Sequence, residues 1–312
     1  MILYKGPSRI DGKPIVAIAT IGSKNEKTGD MVQVWILREN VHPVVAQRTG
    51  SDESVCGDCP QRWSLGGACY VIVAKAPASV WKAYKRGSYN CPKHIAKVEH
   101  ELRTKPIRLG AYGDPCAIPF EVWESLIAQG TGSWTGYTHQ WKNPANANYR
   151  QLVMASCDSI QEAEQANAQG WRFFVVVTDI EDALRKSPLM GVVVQCASDA
   201  NGINCATCKA CDGTRADSRS GSAASIMIQV HGMVKNRFLT VVRCFVANGY
   251  EDRKRFTEKQ LVARCSKLTP DKAQLLIRSL VDALYGAEAD ENWGADTLDS
   301  IAQLLYNHNL TP

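Results

Sequence analysis

The sequence predicts an α/β protein with a partial or irregular (βα) barrel-like parallel sheet, an N-terminal β-hairpin region and a C-terminal helical appendage. Two β-branched runs, 13–21 and 31–37, flank a turn-rich connector, as the strands of a hairpin do. From about residue 106, short apolar runs alternate with amphipathic segments of about ten residues, which is typical of parallel βα units. Beyond about residue 234 the composition changes and the pattern becomes helical.

The individual elements follow from these patterns in chain order. Strands are predicted, after the hairpin, at 107–111, 134–138, 152–156, 173–178, 192–196 and 226–230. Helices are predicted at 79–86, 92–104, 120–129, 159–169, 180–186, 272–285 and 297–306. We therefore expect a cysteine-rich α/β domain over 1–234 and a mostly helical region over 235–312.

The composition is that of a folded globular protein. Of the 312 residues, 45% are hydrophobic and 21% are charged, which excludes intrinsic disorder, collagen and coiled coil. No apolar run reaches about 18 residues and the N-terminus has no apolar leader, so we expect no membrane span and a cytoplasmic protein. The net charge of +5 fits contact with nucleic acid without requiring it.

Twelve cysteines are the unusual feature of the composition, and they are clustered. Without a secretion signal, metal binding or catalysis is favoured over a disulfide scaffold. Cys56, Cys59 and Cys69 lie in a Gly-rich loop, and Cys91 follows 22 residues later. A CxxC pair places two thiolates on one metal or cluster face, so we predict these four as ligands. The alternative is three thiolates with one open coordination position, and His94 is a further candidate.

The second cluster has three cysteines at a strict three-residue step. Cys205, Cys208 and Cys211 are preceded by Cys196, so that four thiolates fall within 16 residues. Successive thiolates on one loop are the bacterial ferredoxin manner of holding a [4Fe–4S] cluster, which we favour, with zinc as the alternative. All four positions can be filled by the protein, which indicates a structural or electron-relaying role.

Polar residues follow several predicted strands, where parallel α/β folds bind their ligands. The residues concerned are Tyr112, Gly113 and Asp114, then Thr138, His139 and Gln140, then Ser156, Asp158 and Ser159. From these we predict Asp114, His139, Ser156 and Asp158 as catalytic residues. The alternatives are a helix start at Asp114, a surface loop at His139, and a helix N-cap at Ser156 and Asp158.

A basic and aromatic segment offers a different function. The residues concerned are Lys82, Lys85, Arg86 and Lys93 with Trp81, Tyr84 and Tyr89. Basic side chains interleaved with aromatic ones suit phosphate contact and base stacking. The alternative is a solvated helix face whose aromatic side chains pack in the core.

Several segments resemble a cysteine-rich protein family common in bacteriophage genomes. The resemblance covers about residues 5–232 and rests on DGKPIVAIATIGSKNEKTGDMVQVWIL, VCGDCP…GGACYV, VWKAYKRGSY, RLGAYGDPCAIPFEVW, TGYTHQW and CASDANG…CATCKACDG. It implies a phage-encoded protein that acts in the host cytoplasm. That family has no assigned activity, so the resemblance by itself implies no chemistry.

The layout also resembles the radical SAM barrel more remotely. In that family a cysteine loop that ends in Cys-Tyr holds a [4Fe–4S] cluster, and a Gly-Gly-Glu-Pro motif touches S-adenosylmethionine. Cys69-Tyr70 and Tyr112-Gly113-Asp114-Pro115 stand at those places, and segment 154–159 is similar to the fourth-strand pattern. The resemblance implies that Tyr70, Gly113 and Asp114 contact the cofactor. The cysteine spacings are two and nine instead of three and two, and Asp114 replaces the glutamate.

These observations predict an iron–sulfur protein of radical-SAM-like architecture that modifies a nucleic acid, a nucleotide or a peptide. It would carry one or two [4Fe–4S] clusters and use S-adenosylmethionine. The alternative is a non-catalytic protein, braced by zinc or by inert clusters, that binds nucleic acid or a host protein. A hydrolase that uses Asp114, His139 and Asp158 is the third reading, although the chain has no HExxH motif and no P-loop. Whether the chain is an enzyme stays open at this point.

Overall fold

The computed structural model describes residues 1–130, 133–186, 193–213 and 224–230. The chain divides into two compact units, Met1–Arg243 and Cys244–Pro312. The fold given below is that of the first unit. The predicted domain boundary after residue 234 and the predicted helices at 272–285 and 297–306 lie outside the described residues.

The strands of the described residues form one open sheet in the order β1-β2-β3-β4-β5-β6-β7-β9-β8. Their bounds are Ile2–Pro7, Pro14–Thr20, Val32–Arg38, Ile107–Tyr112, Trp134–Thr138, Met154–Cys157, Phe173–Val177, Val193–Gln195 and Ser225–Gln229 for β1 to β9. The first three strands pair antiparallel, and every later pairing is parallel. Strands β3 to β7 lie side by side in chain order, as in a singly wound βα barrel that does not close. The predicted fold class is confirmed.

Short helices connect the strands. Their bounds are Pro43–Thr49, Glu53–Cys56, Ala76–Lys85, Pro92–Leu102, Phe120–Ala128, Ile160–Ala168, Ile180–Lys186, Ala197–Asn201 and Cys205–Cys208 for α1 to α9. Further 3₁₀ turns lie at Trp63–Leu65, Ser88–Asn90, Pro115–Ala117, Gln140–Lys142 and Pro144–Gln151. No helix of the described residues is both long and apolar enough to cross a membrane.

The two faces of the sheet differ in what they bury. Along β6, Ala155 belongs to the main hydrophobic core, while the preceding Met154 belongs to a small cluster that includes Cys211. Strand β9 repeats this alternation, because Met227 lies in the main core and Ile226 lies beside Cys211. We call the side with the small cluster the thiol face. It carries the side chains at Arg108, Tyr137, Met154, Phe174 and Ile226, as the strand register requires.

Strand β1 was missing from the sequence prediction. Its sequence, ILYKGP, ends in Lys5, Gly6 and Pro7, which interrupt the alternation of apolar and polar residues. Such a sequence is tolerated only in a strand at the edge of a sheet. Lys5 pairs with Val16 of β2 in antiparallel register. The additional edge strand makes β2 a central strand, which explains why residues 15–19 of β2 are fully buried.

Candidate functional site

The first cysteine loop, residues 50–69, lies at the carboxyl ends of the parallel strands. Its carbonyl at Val55 accepts a hydrogen bond from the amide of Asp114, which follows β4, at 2.6 Å. The carbonyl of the neighbouring Ser54 accepts a hydrogen bond from the Ser8 hydroxyl at 2.6 Å. The loop is therefore fixed at the sheet edge where parallel α/β folds bind ligands, as the sequence predicts.

A buried arginine braces this loop from within. Arg62 donates from Nε and Nη2 to Asp52 Oδ1, at 3.0 and 2.8 Å, and from Nη1 to the carbonyl of Gly57 at 3.0 Å. It also donates to the carbonyl of Gly50. Arg62 and Asp52 are 6% and 3% exposed, so this is a buried, multiply hydrogen-bonded ion pair. The pair therefore ties the segment before the CxxC turn to Gly57 within the turn.

The end of the loop returns against its own middle. The amide of Cys69 donates to the carbonyl of Gln61 at 2.9 Å, and the amide of Ala68 donates to Gln61 Oε1 at 3.0 Å. A Cβ at Gly67 would lie 2.2 Å from the Gln61 carbonyl carbon. Because only glycine permits this approach, the GG before Cys69 closes the loop on itself.

Replacing Gly67 by alanine is expected to destabilise the fold by about 1–3 kcal/mol, since the new methyl group overlaps backbone that cannot move freely. The free energy of unfolding in urea measures this effect. Ser64→Ala, at an exposed position of the same loop, is the control. An unchanged midpoint for Gly67→Ala would show that the loop is not closed in this way.

The three thiols of the first loop act on one another. Burial raises the pKa of Cys56 well above its usual value, and the charges of Cys59 and Cys69 raise it further. Burial also raises the pKa of Cys69 to about 11, again with a contribution from Cys59. Burial raises the pKa of the Tyr112 phenol well above its usual value, and the charge of Cys56 raises it further. Tyr112 therefore lies beside the same thiols. Such thiols stay protonated until a cation binds.

His139 joins this group from the end of β5. Its amide donates to Asp114 Oδ2 at 2.9 Å, and its Nε2 lies 3.4 Å from Asp158 Oδ2. Burial alone would lower the pKa of His139, but the nearby acidic groups of Cys59 and Asp158 raise it well above its usual value. A third residue, Gln61, fixes the other oxygen of Asp158 by donating at 3.1 Å.

Three buried polar atoms around these thiols lack a well-formed hydrogen bond among the described residues. They are Tyr112 Oη, His139 Nε2 and Asp158 Oδ2. The 3.4 Å contact of His139 with Asp158 is an ion-pair distance without hydrogen-bond geometry. Each buried polar atom left in this way costs about 1–3 kcal/mol. Their concentration at one place indicates a site that is completed by a ligand.

The other predicted catalytic residues have structural partners. The carboxylate of Asp114 accepts from the amides of Cys116 and His139, both at 2.9 Å, and from the Thr138 hydroxyl at 2.7 Å. Burial raises the pKa of Asp114. It ties the end of β4 to the end of β5, and both of its oxygens accept hydrogen bonds from the protein. Gly113, at φ +85°, allows close approach to Ile36. The carbonyl of Ser156 accepts from the Trp141 indole.

Cys91 does not lie with the other thiols of its predicted set. It is exposed and precedes α4, whose first amides, from His94 and Ile95, donate to its carbonyl. Burial lowers the pKa of His94, and the amino group of Met1 lowers it further. That amino group hydrogen-bonds to Ala19 at the opposite edge of the sheet from the first loop. The structure thus separates Cys91 and His94 from Cys56, Cys59 and Cys69.

The second cysteine loop is held by backbone hydrogen bonds to three other segments of the chain. The amide of Cys196 donates to the carbonyl of Met227 in β9 at 2.8 Å, and the carbonyl of Cys211 accepts from the amide of Gly136 in β5 at 2.9 Å. The amide of Cys205 donates to the carbonyl of Lys27 at 3.0 Å. The connector of the N-terminal hairpin therefore packs on α9, a contact that no sequence signal predicted.

The four thiols of this loop share one neighbourhood. Burial raises the pKa of Cys211 to about 12, a hydrogen bond with Tyr137 acts in the opposite direction, and the charges of Cys205, Cys196 and Cys208 raise it further. Burial likewise raises the pKa of Cys205, against the charge of Arg108. Of the predicted set, Cys196 and Cys211 pack in the small cluster on the thiol face of the sheet.

A second buried arginine braces this loop. Arg172 donates to Asp212 Oδ1 at 3.0 Å and to the carbonyls of Gly213 and Ala210, both at 2.7 Å. It also donates from Nη2 to the carbonyl of Ala224 at 2.7 Å. Arg172 is 7% exposed and Asp212 is 4% exposed. Each cysteine loop is thus held by its own buried arginine–aspartate pair.

The aromatic residues of the basic segment pack against the protein. Tyr89 is 8% exposed. The Trp81 indole donates to the carbonyl of Arg38 at 3.0 Å, and the Tyr84 hydroxyl donates to Glu39 at 3.1 Å. These contacts favour the solvated-helix interpretation over a base-stacking surface.

Within the described part of the chain, no three His, Cys, Asp or Glu side chains are arranged to hold a single metal ion. Ligation in either loop therefore requires the thiols to rotate about χ1 toward a common point. No family model, curated protein or solved structure matches this chain. The resemblances to the phage family and to the radical SAM barrel thus stay predictions.

Proposed function

We propose that this chain is an iron–sulfur protein that holds one cluster in each cysteine loop, on a sheet of radical-SAM-like layout. The observation that supports the proposal is that two separate cysteine loops, with three and four partly or fully buried thiols, pack on one open sheet. Soft thiolate donors select Fe–S clusters or zinc, and three successive thiolates at a three-residue step favour the cluster. Buried arginine–aspartate pairs hold both loops in a shape ready for assembly.

The first loop offers three thiols and leaves one coordination position to something else. The polar atoms beside it, on Tyr112, His139 and Asp158, suit a small polar ligand at that position. By resemblance this ligand is S-adenosylmethionine, to which a bound cluster supplies an electron. The substrate class that the sequence favours, a nucleic acid, a nucleotide or a peptide, stays a prediction.

The protein's own groups have distinct tasks in this proposal. His139 holds a proton at Nε2, toward Asp158, and orients the Cys59 side of the loop. Asp114 fixes the strand ends that carry His139, and so acts on the site only through its hydrogen bonds. The buried side chains of Tyr112 and Gln61 reduce the access of water to the partly exposed thiols.

The test compares cysteine variants of anaerobically purified protein. Thiolate-bound Fe–S clusters absorb at about 400 nm. Cys56→Ala and Cys208→Ala are each expected to remove about half of this absorbance, because each substitution removes the cluster from one loop. Cys157→Ala, a buried thiol outside both loops, is the matched control. Cys91→Ser is expected to change nothing, since Cys91 is exposed away from the first loop.

Two outcomes would contradict the proposal. A colourless protein that contains zinc in both loops would support the alternative of a zinc-braced binding protein. Equal loss of absorbance from both loops in each single variant would mean that the cysteines form one site and not two.

A further inference from the structure

Arg108 of β4 lies between the two cysteine loops and has no part in the function proposed above. Its Nη2 donates to the hydroxyl of Tyr70 at 2.9 Å, and Tyr70 directly follows Cys69 of the first loop. On the same face of the sheet, the next strand, β5, carries Tyr137, which packs against the small cluster that includes Cys196 and Cys211 of the second loop. Arg108 therefore contacts the first loop by a hydrogen bond and lies on the sheet face that the second loop covers.

The charge of Arg108 has no carboxylate partner. Among the described residues, no Asp or Glu oxygen lies within salt-bridge distance of it. Its Nε is buried and has no hydrogen-bond partner. An arginine stays protonated at every physiological pH, and a partly buried charge needs an opposite charge nearby. The second cysteine loop packs on the same face of the sheet as Arg108.

We infer that Arg108 is the counter-charge of the second cysteine loop, held in position by Tyr70, and that it stabilises the negative charge of a thiolate-bound group there. This inference rests on the proposed function. Reduction adds one negative charge to a cluster, so a neighbouring positive charge favours the reduced form. Arg108 is accordingly a positioning and charge-compensating residue, not a ligand.

The test is a reductive titration of the second cluster, followed spectroscopically in a Cys56→Ala background so that only this cluster is present. Arg108→Gln is expected to move the reduction potential to more negative values, because it removes the charge. Arg108→Lys is expected to keep most of the wild-type potential. Lys27→Gln, which removes an exposed charge that also acts on Cys205, is the matched control, and solvent screening predicts a smaller shift.

The outcomes separate this inference from the proposed function. Absence of iron from the second loop of the otherwise wild-type protein would overturn the proposed function without any Arg108 variant. Iron present with equal shifts in the Gln and Lys variants, or with no shift in either, would overturn the inference alone.

Failure of cluster assembly in Arg108→Gln but not in Arg108→Lys would support a requirement for charge. Failure in both variants would overturn this requirement and would show that assembly depends on the shape of the Arg108 side chain instead of its charge. Tyr70→Phe, which keeps the charge and removes only the hydrogen bond, is expected to shift the potential in the same direction and by less.

Discussion

Replacing Arg62 by alanine is expected to lower the free energy of unfolding by about 3–5 kcal/mol, because it leaves the buried Asp52 carboxylate without its counter-charge. The same change removes the hydrogen bonds to the carbonyl of Gly50, which precedes the CxxC turn, and to the carbonyl of Gly57, which lies within it. Burial already raises the pKa of Asp52 against the effect of Arg62, so the carboxylate depends on this partner. Urea unfolding measures the loss.

The specific consequence of Arg62→Ala is loss of the first cluster with retention of the second. Arg48→Ala, an exposed arginine of the neighbouring helix α1, is the control and is expected to change stability by less than about 0.5 kcal/mol. Full assembly of the first cluster in Arg62→Ala would mean that the ion pair does not shape this loop.

Replacing Arg172 by alanine is expected to have an effect of the same size, about 3–5 kcal/mol, for the same electrostatic reason at Asp212. Arg172 also ties residues 210–213 to Ala224, directly before β9, so five hydrogen bonds are lost together. Here the second cluster is expected to be lost and the first retained. Thermal unfolding and iron content per chain measure the two effects.

The control for Arg172 is Arg185→Ala. Arg185 pairs with Asp182 at 2.9 Å, but its side chain is 74% exposed, so the pair is screened and contributes about 0–1 kcal/mol. Comparable destabilisation by the two substitutions would show that burial of Arg172 is not what makes its pair important. Loss of both clusters in Arg172→Ala would contradict the independence of the two loops.

Sequence periodicity was sufficient for the regular part of the fold. The predicted strand at 134–138 is observed as Trp134–Thr138, and the predicted helix at 159–169 as Ile160–Ala168. In the latter, Ser159 accepts from the amide of Glu162 at 3.1 Å, which is the N-cap that the S-x-x-E pattern signals. Such local signals lie within a few residues of the element they specify, and for that reason they can be read directly.

The sequence did not predict the contacts between segments that lie far apart in the chain. The packing of the hairpin connector on α9 joins residues 27 and 205, and neither segment carries a pattern that points to the other. Spacing groups Cys196, Cys205, Cys208 and Cys211 because they fall within 16 residues, and their role as one ligand set stays a prediction. Proximity in sequence was a poor guide for Cys91, since α3 and a turn carry it away from the first loop.

The bracing arginines and the partners of His139 were also missed. Buried arginines look like surface arginines in a sequence, and only the segment's return on itself buries Arg62. His139 and Asp158 were selected because they end neighbouring strands, which is a consequence of parallel topology. His139 lies beside Cys59 because of the path that the first loop takes. The two glycines before Cys69 indicate a tight return of the chain, but they do not specify this path.

The most direct test of the central claim is the iron, zinc and acid-labile sulfide content per chain of anaerobically purified wild-type protein. Two [4Fe–4S] clusters predict about eight irons with an equal amount of sulfide. About two zinc ions per chain without sulfide would contradict the account and make the cysteine loops structural zinc sites.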